Sequence, residues 1–289
     1  MSGADVTSRA SLVGDYLRAR RAITQPEDVG LVRESNRRVS GLRREEVAAL
    51  AGISAEYYLR LEQGRDHQPS DQVLTCLARA LALDEHALEY LRKLARPSAQ
   101  RNGTPRRSGR GAEQVLHRIL ARRSDLPAYV VDDTLDVVAS TPLAAALAPS
   151  MRQGANRIVS MFTDTDRQTY PDWHTRAADM VAVLRMRADP DDPRLQALVG
   201  QMSIRDPGFA ALWSRHDVHV YTSGNCFEEI APFGTLEFEW EALVIPGYDG
   251  LTLNTLFAPE GSREAAVIAY LREDTGSAVR ITGPVHESP

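Results

Sequence analysis

Residues 42–64, LRREEVAALAGISAEYYLRLEQG, hold two short helical stretches separated by a glycine, and this spacing leaves few folds open. In the first stretch Val47, Leu50 and Ala51 stand at i, i+3 and i+4, an inward stripe among charged positions. Gly52 then stops the helix, because glycine adopts the left-handed conformation that ends a helix and turns the chain at once. Ser54 follows, with a side-chain oxygen that can accept from the free N–H groups of a second helix. Together these features predict a helix-turn-helix.

On the second helix Tyr57, Tyr58 and Leu61 fall on one side, leaving Ala55, Glu56, Leu59, Arg60 and Gln63 on the other with little apolar cover. That outer face suits the major groove of double-stranded DNA. Arg60 can pair bidentately with guanine, Glu56 can accept from a cytosine amino group, and Ala55 or Leu59 can meet a thymine methyl. Arg43 and Arg44 at the start of the first motif helix, with Arg37, Arg38 and Arg65 near it, are candidates for phosphate contacts. Ser54 and Tyr57 complete the expected DNA-binding set. Such motifs act on half-sites about 34–36 Å apart, so a homodimer on an operator is expected.

The net charge of −5 argues against nucleic acid only until it is divided along the chain. Residues 1–110 carry 19 Arg and Lys against 14 Asp and Glu, which leaves 15 against 25 for the remainder. The basic part carries the motif. No stretch approaches the roughly 18 consecutive apolar residues of a membrane span, and MSGADVTSRA has no apolar signal core, so a cytoplasmic protein without membrane contact is expected. Cys76 and Cys226 lie far apart with no metal-ligand spacing, which fits a reducing compartment; Cys76 reads as a helix core residue.

A first helix is predicted over about residues 9–24, with Leu12, Tyr16, Leu17 and Ile23 inward, ended by Pro26. After the motif, Ser70 opens a helix with Leu74, Leu77, Ala78 and Leu81 inward, and Asp84 caps a fifth with Leu88, Leu91 and Leu94. The chain divides into an all-α five-helix domain over 1–96, a linker over 97–112 rich in Pro, Gly, Ser and Arg, and a second domain over 113–289. That second part opens with a short helix near 113–124. AYVV and DVVA then predict a β-hairpin, followed by helices near 142–148, 172–188, 193–202 and 207–215. VHVYTS, FEEIA, TLEFEWEAL and LTLNTLFA predict antiparallel strands, and 262–273 a closing helix, giving an α+β domain with one antiparallel sheet.

The runs VAALAGIS and LEQG resemble the XRE-type helix-turn-helix regulators. The longer string GLRREEVAALAGISAEYYLRLEQG, with Pro69 and Ser70 and then VLTCLARALAL, resembles the MmyB-like regulators of actinobacteria. The likeness continues in DLPAYVVDDTLDVVAS, YPDWHTRAADMVAVLR, FAALWSRHDV and TLEFEWEAL. It implies a transcription regulator whose second domain is PAS-like and binds a small lipophilic, fatty-acid-like ligand. The chain departs from the family pattern at Ser140 and Thr141, and at Ala231 and Pro232.

Catalytic signatures are missing from the second part: no HExxH, GxSxG or GxxxxGK[ST] occurs, and GRGAEQ follows a linker instead of a strand, so no enzyme is expected. His216 and His219 have no third ligand at a suitable spacing, and the acids of ADPDDP read as a solvated turn; no metal and no cofactor is expected. What remains is apolar and aromatic. Phe162, Trp173, Phe209, Trp213, Phe238 and Trp240 serve either as core or as the lining of a ligand site. An acidic ligand would need a cation, for which His174, Arg185 and Arg205 are candidates by composition. Two rivals stay open: a protein-interaction module that takes no small molecule, and an enzyme fused to a regulator.

Overall fold

The computed structural model describes residues 3–33, 37, 39–65, 69–96, 116, 118–170, 172–248 and 250–278. In chain order the first helices are α1 (Gly3–Ile23), α2 (Arg44–Ala51), α3 (Ala55–Glu62), α4 (Asp71–Ala80) and α5 (Glu85–Ala95). A hairpin of β1 (Ala128–Val131) and β2 (Val137–Ser140) follows, then α6 (Pro142–Leu147), α7 (Arg157–Met161) and α8 (Asp164–Thr169). Next come α9 (Trp173–Arg187), α10 (Pro193–Arg205) and α11 (Pro207–Ser214). The chain closes with β3 (Ser223–Ile230), β4 (Gly234–Val244), β5 (Thr252–Phe257) and α12 (Arg263–Ala278).

These elements form two compact units that do not follow a single cut in the sequence. Unit 1 takes Met1–Pro105, Thr175–Met186 and Pro190–Val220, and unit 2 takes Arg106–His174, Arg187–Asp189 and Tyr221–Pro289. The expected linker falls outside the described residues, apart from its neighbours.

Unit 1 is helical. Side-chain oxygens of Ser54, Ser70 and Asp84 accept from the backbone N–H groups of Tyr57, Val73 and Ala87, which satisfies a donor at the start of α3, α4 and α5 that would otherwise have no partner. α1 packs on α3 and α5, and α2 on α3 and α4, around a core that includes Tyr16, Leu17, Leu42, Val47, Tyr58, Leu61, Leu77 and Leu91. Several details differ from the periodicity. α1 begins at Gly3, and its Ile23 is exposed while Val13 is buried. α2 buries Val47, Ala48 and Ala51 and leaves Leu50 40% exposed. Both stripes have helical spacing, and the structure turns Ala48 inward in place of Leu50. Leu88 is only partly buried, with Ala87 and Tyr90 turned inward beside Leu91 and Leu94. Cys76 is partly buried against the same core.

VHVYTS is not a strand over most of its length: residues 217–221 are irregular, and regular pairing starts at Ser223. Val218 joins the helical core of unit 1 instead, so an alternating pattern was answered by packing against helices.

Unit 2 holds a five-stranded antiparallel sheet in the order β2-β1-β5-β4-β3. Every residue of β1 is buried, so this strand is covered on both faces. On β4, Leu236 and Phe238 are buried while Thr235, Glu237, Glu239 and Glu241 are exposed, the period-two signature of a strand with one solvated face. One face carries Ala128, Val130, Ala139 and Leu253 against Leu116 and Leu120, next to the helical residues 118–121. α12 packs on α6 and β4, and α6 on β1. Among the described residues no helix is long and apolar enough to cross a membrane.

Candidate nucleic-acid interface and the polar sheet face

The turn between α2 and α3 is built as the sequence requires. Gly52 has φ +67° and its N–H closes on the Ala48 and Ala49 carbonyls, and Ser54 Oγ accepts from Tyr57 N at 3.1 Å. Tyr58, Leu61 and Glu62 are buried, while Ser54, Ala55, Glu56, Arg60 and Gln63 are exposed. Leu59 and Tyr57 are partly buried. Glu56 and Arg60 are 3.7 Å apart at i and i+4, and Arg60 lies 5.5 Å from the centre of the Tyr57 ring. Tyr57 therefore flanks the outward arginine as well as packing inward.

The arginines expected at phosphates take different positions. Arg44 and Arg65 are exposed and Arg43 is partly buried. Arg37 has a side chain only 3% exposed; it forks onto both oxygens of Glu46 at 2.7 and 2.5 Å and donates to the Gly41 carbonyl. Glu46 also accepts from Arg43 N at 2.6 Å. The Arg37 guanidinium, against some opposition from burial and with help from the Arg43 N–H, holds the Glu46 carboxyl below its usual range. Arg37 is thus occupied in shaping the entry to α2. Arg38 lies outside the described residues.

Glu62 is the buried ion-paired residue of this motif that periodicity missed. It closes α3, is buried, and accepts from Arg21 Nε at 2.5 Å and from Arg44 Nε at 2.6 Å. Arg21 also donates to the Leu42 carbonyl at 3.0 Å, and Arg18 to the Glu62 carbonyl at 2.8 Å. α1 and the first turn of α2 are thereby tied to the end of α3. The signal was present as an acid in the apolar register with Tyr58 and Leu61, but the partner on α1 is distant in sequence.

Close approach of α1 depends on Gly14. A Cβ there would stand 2.5 Å from the Glu62 carbonyl oxygen, and backbone has to shift to admit it. Gly14→Ala is expected to destabilise the protein by about 1–3 kcal/mol despite alanine's better helix propensity. Thermal unfolding checks this; a gain in stability would show that α1 can back away from α3 at little cost.

In unit 2, cross-strand register puts Cys226, Glu228, Phe238, Trp240, Leu256, Asn254, Tyr129 and Ser140 on one face of the sheet. Phe238 is fully buried and Trp240 partly so. Phe162 and Trp173 meet edge to face at 5.4 Å, Trp173 Nε1 donates to the Met161 carbonyl at 2.7 Å, and Arg167 lies 4.6 Å from the Trp173 ring centre. His174 is exposed beside Trp173. At this face stand polar groups that the sequence patterns did not single out, with Glu228 and Tyr170 buried and Arg157 partly buried. Tyr170 donates to Glu228 at 3.2 Å, and Arg157 lies 5.4 Å from the Tyr129 ring centre. Burial works against the Arg157 charge, but Tyr129, Glu228 and Cys226 more than offset it, so its pKa is raised. Glu228 could have been found, because it shares the alternation of Cys226 and Ile230. Ser140 faces Tyr129 across the hairpin, and Thr141 caps α6 by accepting from Ala144 N.

Four other candidates, Phe209, Trp213, Arg185 and Arg205, belong to unit 1. Phe209 is fully buried there and stacks on Trp213 at 6.0 Å. Arg185 is buried, lies 3.8 Å from the Trp213 ring centre, donates to the Trp213 carbonyl and stands 3.3 Å from His216 Nδ1. Arg205 is exposed at the end of α10. Burial, with Arg185 and Arg20 adding to it, pushes the His216 imidazole down to about 3, so it is neutral at ordinary pH. His219 pairs with His86, ring centres 6.3 Å apart. Among the described residues no three His, Cys, Asp or Glu groups converge as a metal site would require.

A family model described as a helix-turn-helix domain matches residues 12–91. One described as the MmyB-like transcription regulator ligand binding domain matches residues 112–271. No curated protein matches the chain.

Proposed function

The chain belongs to the MmyB-like transcription regulators, DNA-binding proteins with a ligand-binding domain, and from that premise we propose how it reads DNA and what it senses. α3 enters the major groove, with Arg60 and Glu56 on base edges and Ala55 beside a thymine methyl. Arg43, Arg44 and Arg65 hold phosphates, and the protein binds its operator as a homodimer in the cytoplasm. The observation that carries this is the division of α3 into a buried face of Tyr58, Leu61 and Glu62 and an exposed face of Ala55, Glu56, Arg60 and Gln63.

The second part of the reading is a small lipophilic ligand, fatty-acid-like in character, bound in unit 2. Its support is the ligand-binding family match and a sheet face that combines Phe238, Trp240 and Glu228, with Arg157 of α7 over the Tyr129 ring of the same face. Phe162, Trp173 and His174 are the further candidates from the same unit. No catalytic step is assigned to the chain.

Selection of DNA from a random pool, followed by affinity measurement on the selected sequence, tests the first part. Arg60→Ala is expected to cost about 1–3 kcal/mol and to relax preference at one base pair. Arg44→Ala should weaken all sequences alike and flatten the salt slope by about 1. Uniform loss in both variants would remove Arg60 from the groove. Native mass spectrometry of gently purified protein, with extraction of whatever is released, tests the second part: a lipophilic acid near one per subunit is expected, and an empty protein that retains a stoichiometric protein partner would replace the ligand with that partner.

A further inference from the structure

Residues 182–186 and 213–219 fall within the stretch matched by the ligand-binding family model, yet they pack into unit 1 with the helix-turn-helix. The contacts are directional. Arg20 Nη1 on α1 meets Asp217 Oδ1 at 2.5 Å, and Arg215 Nε holds the other Asp217 oxygen at 2.7 Å. The Tyr16 ring lies 6.2 Å from that of His216 and 5.3 Å from that of Tyr90. Lys93 Nζ on α5 donates to the Met186 carbonyl at 2.7 Å, and Val218 is buried in the same core as Val13 and Tyr16. His219 N donates to the Ala182 carbonyl, which closes the segment on α9.

The position of these contacts on α1 matters more than their number. Arg20 holds Asp217, and the next residue, Arg21, holds Glu62 at the end of the reading helix. Neighbouring residues on a helix point about 100° apart, so α1 presents one arginine to each side. Arg18 and Gly14 add a carbonyl bond and a close backbone approach at the same end of α3. α9 itself starts with Trp173 and His174 in unit 2 and continues through Thr175–Met186 in unit 1.

We propose that residues 213–219, anchored by Arg185, form a brace through which the sensor region sets the position of α1 and, through α1, of the reading helix α3. The brace rests on the DNA-reading function proposed above and supplies its regulation: a ligand that favours one arrangement of this segment shifts the equilibrium between a held and a released α3. Asp217 and Arg185 are positioning residues, acting on DNA only through α1.

The test uses the full chain without added ligand. In Asp217→Ala, amide hydrogen exchange is expected to quicken about three- to fivefold over the second half of α1 and over residues 61–64, with β4 and β5 unchanged. Arg20→Ala should do the same, and the double variant should add little, because the Arg20–Asp217 pair is already lost in either single variant. Asp217→Asn, which keeps the shape and an acceptor oxygen, gives a smaller change at the same residues and serves if the alanine variant does not fold. Unchanged exchange at residues 61–64, or equal loosening of β4 and β5, would overturn the brace. On DNA selected by the wild-type protein, Asp217→Ala should lower specific affinity about three- to fivefold and leave non-specific binding alone; equal loss of both would also overturn it. If the wild-type protein selects no sequence, the DNA-reading function fails, and the exchange result still decides whether the brace exists.

Discussion

Glu62→Ala is expected to remove about 3–5 kcal/mol of stability, the cost of stranding a buried charge. The Glu62 side chain is 1% exposed and that of its partner Arg21 13% exposed, so the arginine left behind would keep the Leu42 carbonyl and the nearby Tyr58 but no counter-charge and little water. Arg44, with a side chain 46% exposed, can return to solvent and contributes little to the loss. Urea unfolding followed by the helical signal measures the difference, and a change below about 1 kcal/mol would show that Arg21 finds water without disturbing the helices.

The same group sets a pH dependence. Burial pushes the Glu62 carboxyl up, but the hydrogen bonds from Arg21 and Arg44 outweigh it, and the folded pKa lies below the ordinary 4.5. The unfolded chain therefore takes up the proton first. The contribution of Glu62 is present in full above the ordinary carboxylate range and is lost as pH falls through the folded pKa. Glu62→Gln, which cannot titrate, should flatten the decline of stability in acid relative to the wild-type protein; parallel declines would assign the acid sensitivity to other carboxylates.

Phe238→Ala is the second large effect, at about 3–5 kcal/mol. Phe238 is fully buried on β4, opposite Cys226, and its removal leaves a cavity between the sheet and what covers it. Trp240, two residues on and on the same face, is only partly buried, and Trp240→Ala should cost about 1 kcal/mol. Thermal unfolding of ligand-free protein separates the roles: Phe238 acts as core whatever the ligand, whereas Trp240 is the residue free to act in binding. A small loss at Phe238 would reverse that assignment and make it part of a ligand wall.

Much of this was legible because the signals are local. Gly52, Ser54, Ser70 and Asp84 are a turn and three caps whose chemistry acts within four residues, and the structure places each as the spacing predicts. The hairpin, the alternation of TLEFEWEAL and the antiparallel α+β domain were legible for the same reason. Arg37 was not: an arginine near a helix start reads equally as a phosphate contact or as a strut, and only the fork onto Glu46 shows that its guanidinium is occupied within the protein.

By itself the sequence determined the helix-turn-helix, the caps, the hairpin, the alternation of β4 and the exposure of Glu56 and Arg60 on α3, since each follows from residues within a turn or a strand of one another. Tertiary structure alone decided which stripe of α2 is buried, that Val218 joins a helical core instead of a strand, and that Glu62 is a tether. Those outcomes rest on pairings such as Arg21 with Glu62, 41 residues apart, and Arg20 with Asp217, 197 apart. No local periodicity encodes a partner at that distance, because the free energy of a buried charge depends on what the rest of the fold brings to it.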